Sequence, residues 1–205
     1  MKIRLEMETD YEGVENLVMD SFWNVYRPGA FEHYIVHQLR NDESFIPDLA
    51  YVIECSEQIV GHINYSLGII DYGDEKVDAV VLGPISIHRN YQNPGFGSKL
   101  IGFTLDLARR EGIPFVLVIG DENYYHRFGF ESASKYNVFL DGTNTNEKCL
   151  FFMIKIFDES SLKNKLGTFH NPCVFDVDES DVDEFRSGTR LNSSHIIPSR
   201  MPSSA

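Results

Sequence analysis

Basic residues are in short supply in this chain: 18 Lys and Arg stand against 31 Asp and Glu, a formal net charge of −13 over 205 residues. That shortage argues against nucleic acid as a partner, because phosphates demand a basic face. Acidity of this kind keeps a protein soluble, and it also suits a cationic substrate by concentrating amines near the surface. Long apolar runs are missing too. No stretch approaches the roughly 18–20 uninterrupted apolar residues that a membrane helix needs. The opening Met1-Lys2-Ile3-Arg4-Leu5-Glu6 meets acid before any signal-like core can form. Cysteine is scarce: Cys55, Cys149 and Cys173 are odd in number and lack metal-ligand spacing. A reducing, cytoplasmic setting is therefore expected. The histidines form no metal pattern, so no metal is expected. Internal repeats are absent.

What is present suffices for one domain, with 42% apolar and 13% aromatic residues to build a core. Residues 2–6 alternate as a strand. Thr9 or Asp10 can cap a helix to about Trp23, with Val14, Leu17, Val18 and Phe22 on one face. A second helix is expected from about Ala30 to Arg40. The period then changes: Tyr51–Cys55 and Ile59–Ser66 read as strands joined by a Ser-Glu-Gln turn, and Val77–His88 as a long central strand. A helix over about Gly97–Glu111 ends at Gly112, followed by a buried strand at Pro114–Gly120. A short turn near Tyr124–Phe128 leads to strands around Phe130–Ser132, Val138–Leu140 and Leu150–Ile156. The order predicts a mixed α/β sheet with helices on both faces. The acidic run Asp176–Glu184 reads as a solvated segment, and Arg186–Ala205 as a tail without apolar period. The expected organisation is one domain over 1–183 and a flexible tail over 184–205.

The most informative segment is Gly83-Pro84-Ile85-Ser86-Ile87-His88, running through Gln92-Asn93-Pro94-Gly95-Phe96-Gly97-Ser98. A buried strand enters a glycine-containing loop that opens onto an amphipathic helix. Free backbone N–H groups and the positive helix end converge there, which makes an anion site. Pro84 cannot donate to a strand ladder, so it marks a bulge or a break in pairing. Broken pairing leaves amides free to bond an extended, amide-bearing ligand as if it were an added strand.

Two motifs together resemble the GNAT superfamily of N-acetyltransferases. Gln92-x-x-Gly95-x-Gly97 is similar to the loop with which that family holds the CoA pyrophosphate, and Tyr124-Tyr125-His126-Arg127-Phe128-Gly129-Phe130 to its following block. Leu82-Gly83-Pro84 before the loop and the later stretch Leu162–Phe175 resemble a subgroup of small bacterial predicted N-acetyltransferases. The resemblance covers residues 1 to about 180. It implies a mostly antiparallel sheet splayed at its centre, with acetyl-CoA in the opening between the strand ending at His88 and Phe115–Ile119.

On the same resemblance, Ile85, Ser86 and Ile87 would hold the pantetheine and acetyl group. Gln92, Asn93, Gly95, Phe96, Gly97 and Ser98 would hold the pyrophosphate, while Pro94 has no N–H to give. One amide aimed at the acetyl oxygen would stabilise the tetrahedral oxyanion by about 3–4 kcal/mol. Tyr125, four residues before Gly129-Phe130, matches the tyrosine that protonates the departing thiolate, and Tyr124 is its adjacent alternative. No base announces itself. In the histone-type branch a glutamate stands eleven residues before the loop glutamine, and Val81 holds that place here. His62, Glu54, Asp78, His88 and deprotonation through water all stay open. By family analogy Trp23, Tyr26, Arg27 and Phe31 would line the acceptor side.

The expected activity is transfer of acetyl from acetyl-CoA to a primary amine of a small molecule or peptide, by direct attack in a ternary complex. A homodimer is left open. The alternative reading is a non-catalytic acyl-CoA-binding regulatory module, favoured by the missing base and disfavoured by Tyr125. A dinucleotide-binding domain fails, since the loop lacks the third glycine and no acid follows on the next strand.

Overall fold

The structure, a computed structural model, describes residues 1–92, 95–145 and 149–193. In chain order the elements are β1 (Lys2–Leu5), α1 (Tyr11–Phe22), α2 (Glu32–Leu39), β2 (Tyr51–Cys55), β3 (Gln58–Asp71) and β4 (Lys76–Ile87). They continue with α3 (Phe96–Arg110), β5 (Phe115–Ile119), α4 (Glu122–Tyr125), β6 (Glu131–Ser132) and β7 (Val138–Leu140). Last come β8 (Phe152–Ile156), β9 (Gly167–His170) and α5 (Glu179–Ser193). One sheet runs in the order β1-β2-β3-β4-β5-β8-β6, with β9 on the far half of β3 and β7 beside β9. Pairing is antiparallel except for β4 with β5 and β7 with β9. The expected mixed, mostly antiparallel sheet is therefore what the chain forms.

Alternation along the strands places a helix layer on each face. Val52 packs with Val14, Val18 and Val36 of α1 and α2, whereas its neighbour Ile53 packs with Leu100, Ile101 and Leu105 of α3. The α3 face carries the larger core, closed by Ile63, Tyr65, Val116 and Phe130, all fully buried. The α1 face is polar where it meets β3. His62, Asn64 and Ser66 alternate there and are each fully buried.

Three expectations need correction. Asp10 flanks α1 but makes no side-chain cap. Its carboxylate is instead held by Arg4, at 2.6 and 2.9 Å, and by the Met7 amide at 2.8 Å. A charge-assisted pair with a guanidinium outcompetes a helix amide for the same oxygens. Second, Gly167–His170 forms a strand that no alternation in four residues announces. It exists because Gly68 of β3 leaves room for Phe169, whose ring would stand 2.6 Å (Cζ) from a Cβ at that glycine.

Third, the acidic run from Glu179 onward and the start of the expected tail are helical. Val182 is 1% exposed, and the Phe185 ring lies 4.5 Å from that of His37 and 5.2 Å from Tyr34. A boundary at residue 183 therefore falls inside α5, whose Val182 and Phe185 find a surface that composition could not show. Residues 194–205 of the expected tail lie outside the described residues.

Candidate active site

The register of β4 builds the site. Val80, Val81 and Leu82 pair with Val116, Leu117 and Val118 of β5, and there the pairing stops. On the other edge, the partner of Ile63 is Ile85 but that of Tyr65 is Leu82, so Gly83 and Pro84 together face Asn64. This bulge bends β4 away from β5 where Pro84 sits, since proline has no amide for a ladder. Beyond it β4 keeps β3 and loses β5. The His88 amide donates to Val60 O at 2.9 Å on β3. Amides alternate sides along a strand, which turns those of Ile85 and Ile87 toward the edge that β5 has left.

Between the parted strands lies a cavity of about 980 Å³. Ile85, Ser86, Ile87, Gln92 and Tyr125 all line it, joined by Tyr124. Gly95, Phe96, Gly97 and Ser98 do not; they form the N-terminus of α3 beside its mouth. Asn93 lies outside the described residues. Gly95 precedes α3 with φ 76°, a left-handed conformation that glycine adopts without strain, and its carbonyl accepts from the Lys99 amide at 3.1 Å. The amides of the first helical turn have no helical acceptors, so this end presents donors and a positive dipole. Gln92 is not free: its Nε2 donates to Ile87 O at 3.2 Å and ties the loop to the strand end.

The two tyrosines divide the space. A Cβ on Gly97 would stand 2.7 Å from the Tyr124 hydroxyl oxygen, so Tyr124 leans onto the start of α3, with Arg127 4.5 Å over its ring. Tyr125 lies deeper, 7% exposed, with its ring edge-on to Phe130 and so close to Gly120 that a Cβ there would meet Cε2 at 2.5 Å. Its hydroxyl makes no hydrogen bond within the described residues. Burial raises its pKa above the ordinary phenol value, and the hydroxyls of Tyr124 and Tyr26 add to the shift. It therefore stays protonated at neutral pH, the form a proton donor requires.

None of the base candidates lines this cavity. Glu54 is held by Arg4 at 2.7 Å, and Asp78 is exposed. The His88 Nδ1 accepts from the Asn90 amide at 3.2 Å. His62 stands opposite Ser86 in the register, but burial lowers its pKa to about 3, with Arg40 reinforcing the shift. Val81 is a buried wall residue. Of the expected acceptor residues, Tyr26 lines the cavity and is 73% exposed, while Arg27 stacks 4.3 Å over Phe31 and does not reach it. Sequence reasoning missed Ser21, whose buried hydroxyl lines the cavity without a partner, as does that of Ser86. It also missed Phe151, Asn171 and Phe175, brought in from the C-terminal half. No cluster of metal ligands is found among the described residues, and none of their helices is long and apolar enough to cross a membrane.

A strand with a free amide edge, leading into a helix N-terminus beside a cavity that holds an un-ionised phenol, defines an acyltransferase of the splayed-sheet kind. Residues 13–130, more than half of the chain, match the family model described as the acetyltransferase (GNAT) family. The chain belongs to that family and is an acetyl-CoA-dependent acyltransferase. The uncharacterized N-acetyltransferase YhbS of Escherichia coli K12 is 28% identical over 138 residues, 67% of this chain and 78% of that protein. A crystal structure of YhbS from Escherichia coli in complex with CoA matches with a TM-score of 0.72 at 25% identity, over 86% of this chain and 92% of that one. A GNAT family acetyltransferase from Brucella melitensis in complex with acetyl-CoA gives 0.68 at 26% identity, over 85% and 97%.

Proposed function

We propose that the cavity between β4 and β5 holds the acetyl-pantetheine arm of acetyl-CoA and that a primary amine attacks it directly there. The CoA complexes of the two similar proteins support this placement. The amides of Ile85 and Ile87 take the arm as an added strand, and one of them faces the acetyl oxygen. The amides of Gly95, Phe96, Gly97 and Ser98 meet the pyrophosphate at the start of α3, and the expectation for Gln92 and Asn93 in the loop belongs to the same reading.

The reaction balances simply. An alkylammonium, with a pKa around 10, first loses a proton to water. The nitrogen lone pair then forms a C–N bond to the acetyl carbon, and the tetrahedral intermediate collapses with cleavage of C–S. Tyr125 gives its proton to the sulfur and regains one from the amine nitrogen, leaving an amide and free CoA thiol. The three cysteines are free, which suits a reducing, cytoplasmic setting within this reading.

The observation that carries the proposal is the protonated, unbonded Tyr125 hydroxyl in the same cavity as the free edge of β4. Thiol release from acetyl-CoA, measured over a panel of primary amines, tests it. Amine-dependent release that collapses in Tyr125→Phe supports the reading. A variant within about threefold of the parent kcat would remove Tyr125 from the chemistry.

A further inference from the structure

A second cavity, of about 590 Å³, follows the outer face of α1 and is walled by α2 and α5 and by the turn His88–Asn90. Glu12, Asn16 and Asp20 line it at i, i+4 and i+8, one stripe along the helix. At 1.5 Å per residue the two carboxylate positions are about 12 Å apart along the axis. Neither carboxylate has an ion-pair partner among the described residues. Glu15 differs: Arg40 holds it at 2.7 Å and His37 at 3.0 Å.

The facing cations are already engaged. Arg89 donates to the Asp20 carbonyl at 3.0 Å, and Arg186 lies 4.7 Å over Trp23 and 3.5 Å from Asp183. An independent observation comes from His33, which lines the groove and is 3% exposed with both ring nitrogens lacking a partner. Burial, then Arg186 and His37, hold its pKa near about 4, so the ring is neutral and offers one lone pair to a donor. An ammonium group is all donor and no acceptor, the complement of two free carboxylates, an amide oxygen and a neutral imidazole. Ser21 lines both this groove and the transfer cavity, so the two spaces share a wall at the end of α1. The groove walls are helices and a turn, without the free strand edge that an extended peptide would pair with.

We infer that the groove along α1 seats the non-reacting ammonium groups of an aliphatic polyamine whose remaining amine enters the transfer cavity. This rests on the acyl-transfer reading for the reacting end only, so the groove can be tested apart from it. Spermine, whose non-reacting amines span the spacing of the two acids, and n-butylamine are titrated calorimetrically into the full chain and into the double variant Glu12→Gln/Asp20→Asn, whose positions are exposed and outside the transfer machinery. Spermine should bind about tenfold more tightly than n-butylamine, as two weak surface ion pairs allow, and lose that preference in the variant and at high salt. Acetyl-CoA affinity and n-butylamine binding should not change. Equal affinity for the two amines, or a preference that survives the double variant, overturns the groove assignment. Thiol release in the same samples separates the two ideas. Spermine binding that depends on Glu12 and Asp20, without amine-dependent release, would sustain the groove and sink the transfer reading. Release with equal KM for both amines would do the reverse.

Discussion

The two halves of β4 differ by one bulge and serve opposite ends. From Val80 to Leu82 the strand is paired on both edges, apolar and at most 8% exposed. From Ile85 to Ile87 it keeps β3 but faces a cavity where β5 would be. Backbone hydrogen bonding is obligatory, so the first half satisfies its groups within the sheet and becomes core. The second half leaves its donors on that side without strand partners. An opening in a sheet therefore needs no separate loop, only a place where one strand leaves its neighbour.

The largest expected effect lies on the open side. Tyr125→Phe removes a hydroxyl and keeps the ring on Phe130 and Gly120, so acetyl-CoA binding should hold while kcat falls by roughly 10²–10⁴. Loss of stability with turnover spared would instead make Tyr125 a packing residue and blur the contrast between the halves. The closed half should show the mirror image. Leu117, fully buried opposite Val81, should cost about 2–5 kcal/mol as Leu117→Ala in denaturant unfolding, with little change in KM for acetyl-CoA at low temperature. A smaller effect belongs to the helix end that serves the open half. Gly97→Asp brings a side chain against the Tyr124 hydroxyl and a negative charge to the proposed phosphate site. Calorimetry should show acetyl-CoA affinity reduced by about an order of magnitude in a folded protein. Unchanged affinity would separate α3 from the cofactor.

The smallest effect concerns the polar face behind the open half. His62 and His33 have folded pKa values of about 3 and about 4, below the ordinary value of about 6.5, because burial opposes their charge. As pH falls below about 6.5 the unfolded chain takes up protons that the folded chain refuses, so stability is full above that pH and declines toward pH 4. Glu6, whose pKa burial raises, acts in the opposite sense. Melting curves of His62→Gln should therefore decline less steeply over this window than those of the parent. An identical slope would mean that His62 does not stay neutral.

Much of this was legible in the chain. The period change at Tyr51–Cys55, the long apolar run Val77–His88, the amphipathic period of Gly97–Glu111 and the proline inside a central strand foretold the sheet, α3 and the bulge. These are local signals, fixed by which face each side chain must bury. The glycine loop and the Tyr-Tyr-x-Arg-Phe-Gly-Phe block pointed to the family for the same reason, since backbone approach and turn geometry demand particular residues. What the sequence could not supply was any contact between distant segments. β9 exists only because Gly68 makes room for Phe169, α5 packs only because α2 offers a ring surface, and Asp10 leaves its cap only because Arg4 is near. Ser21 reads as an ordinary serine until α1 sets it against the cavity that Ser86 also lines. Which tyrosine faces that cavity most deeply, and which acids on α1 lack partners, are questions of three-dimensional packing. Periodicity decides which side of an element is buried, but only the assembled fold decides what that side meets.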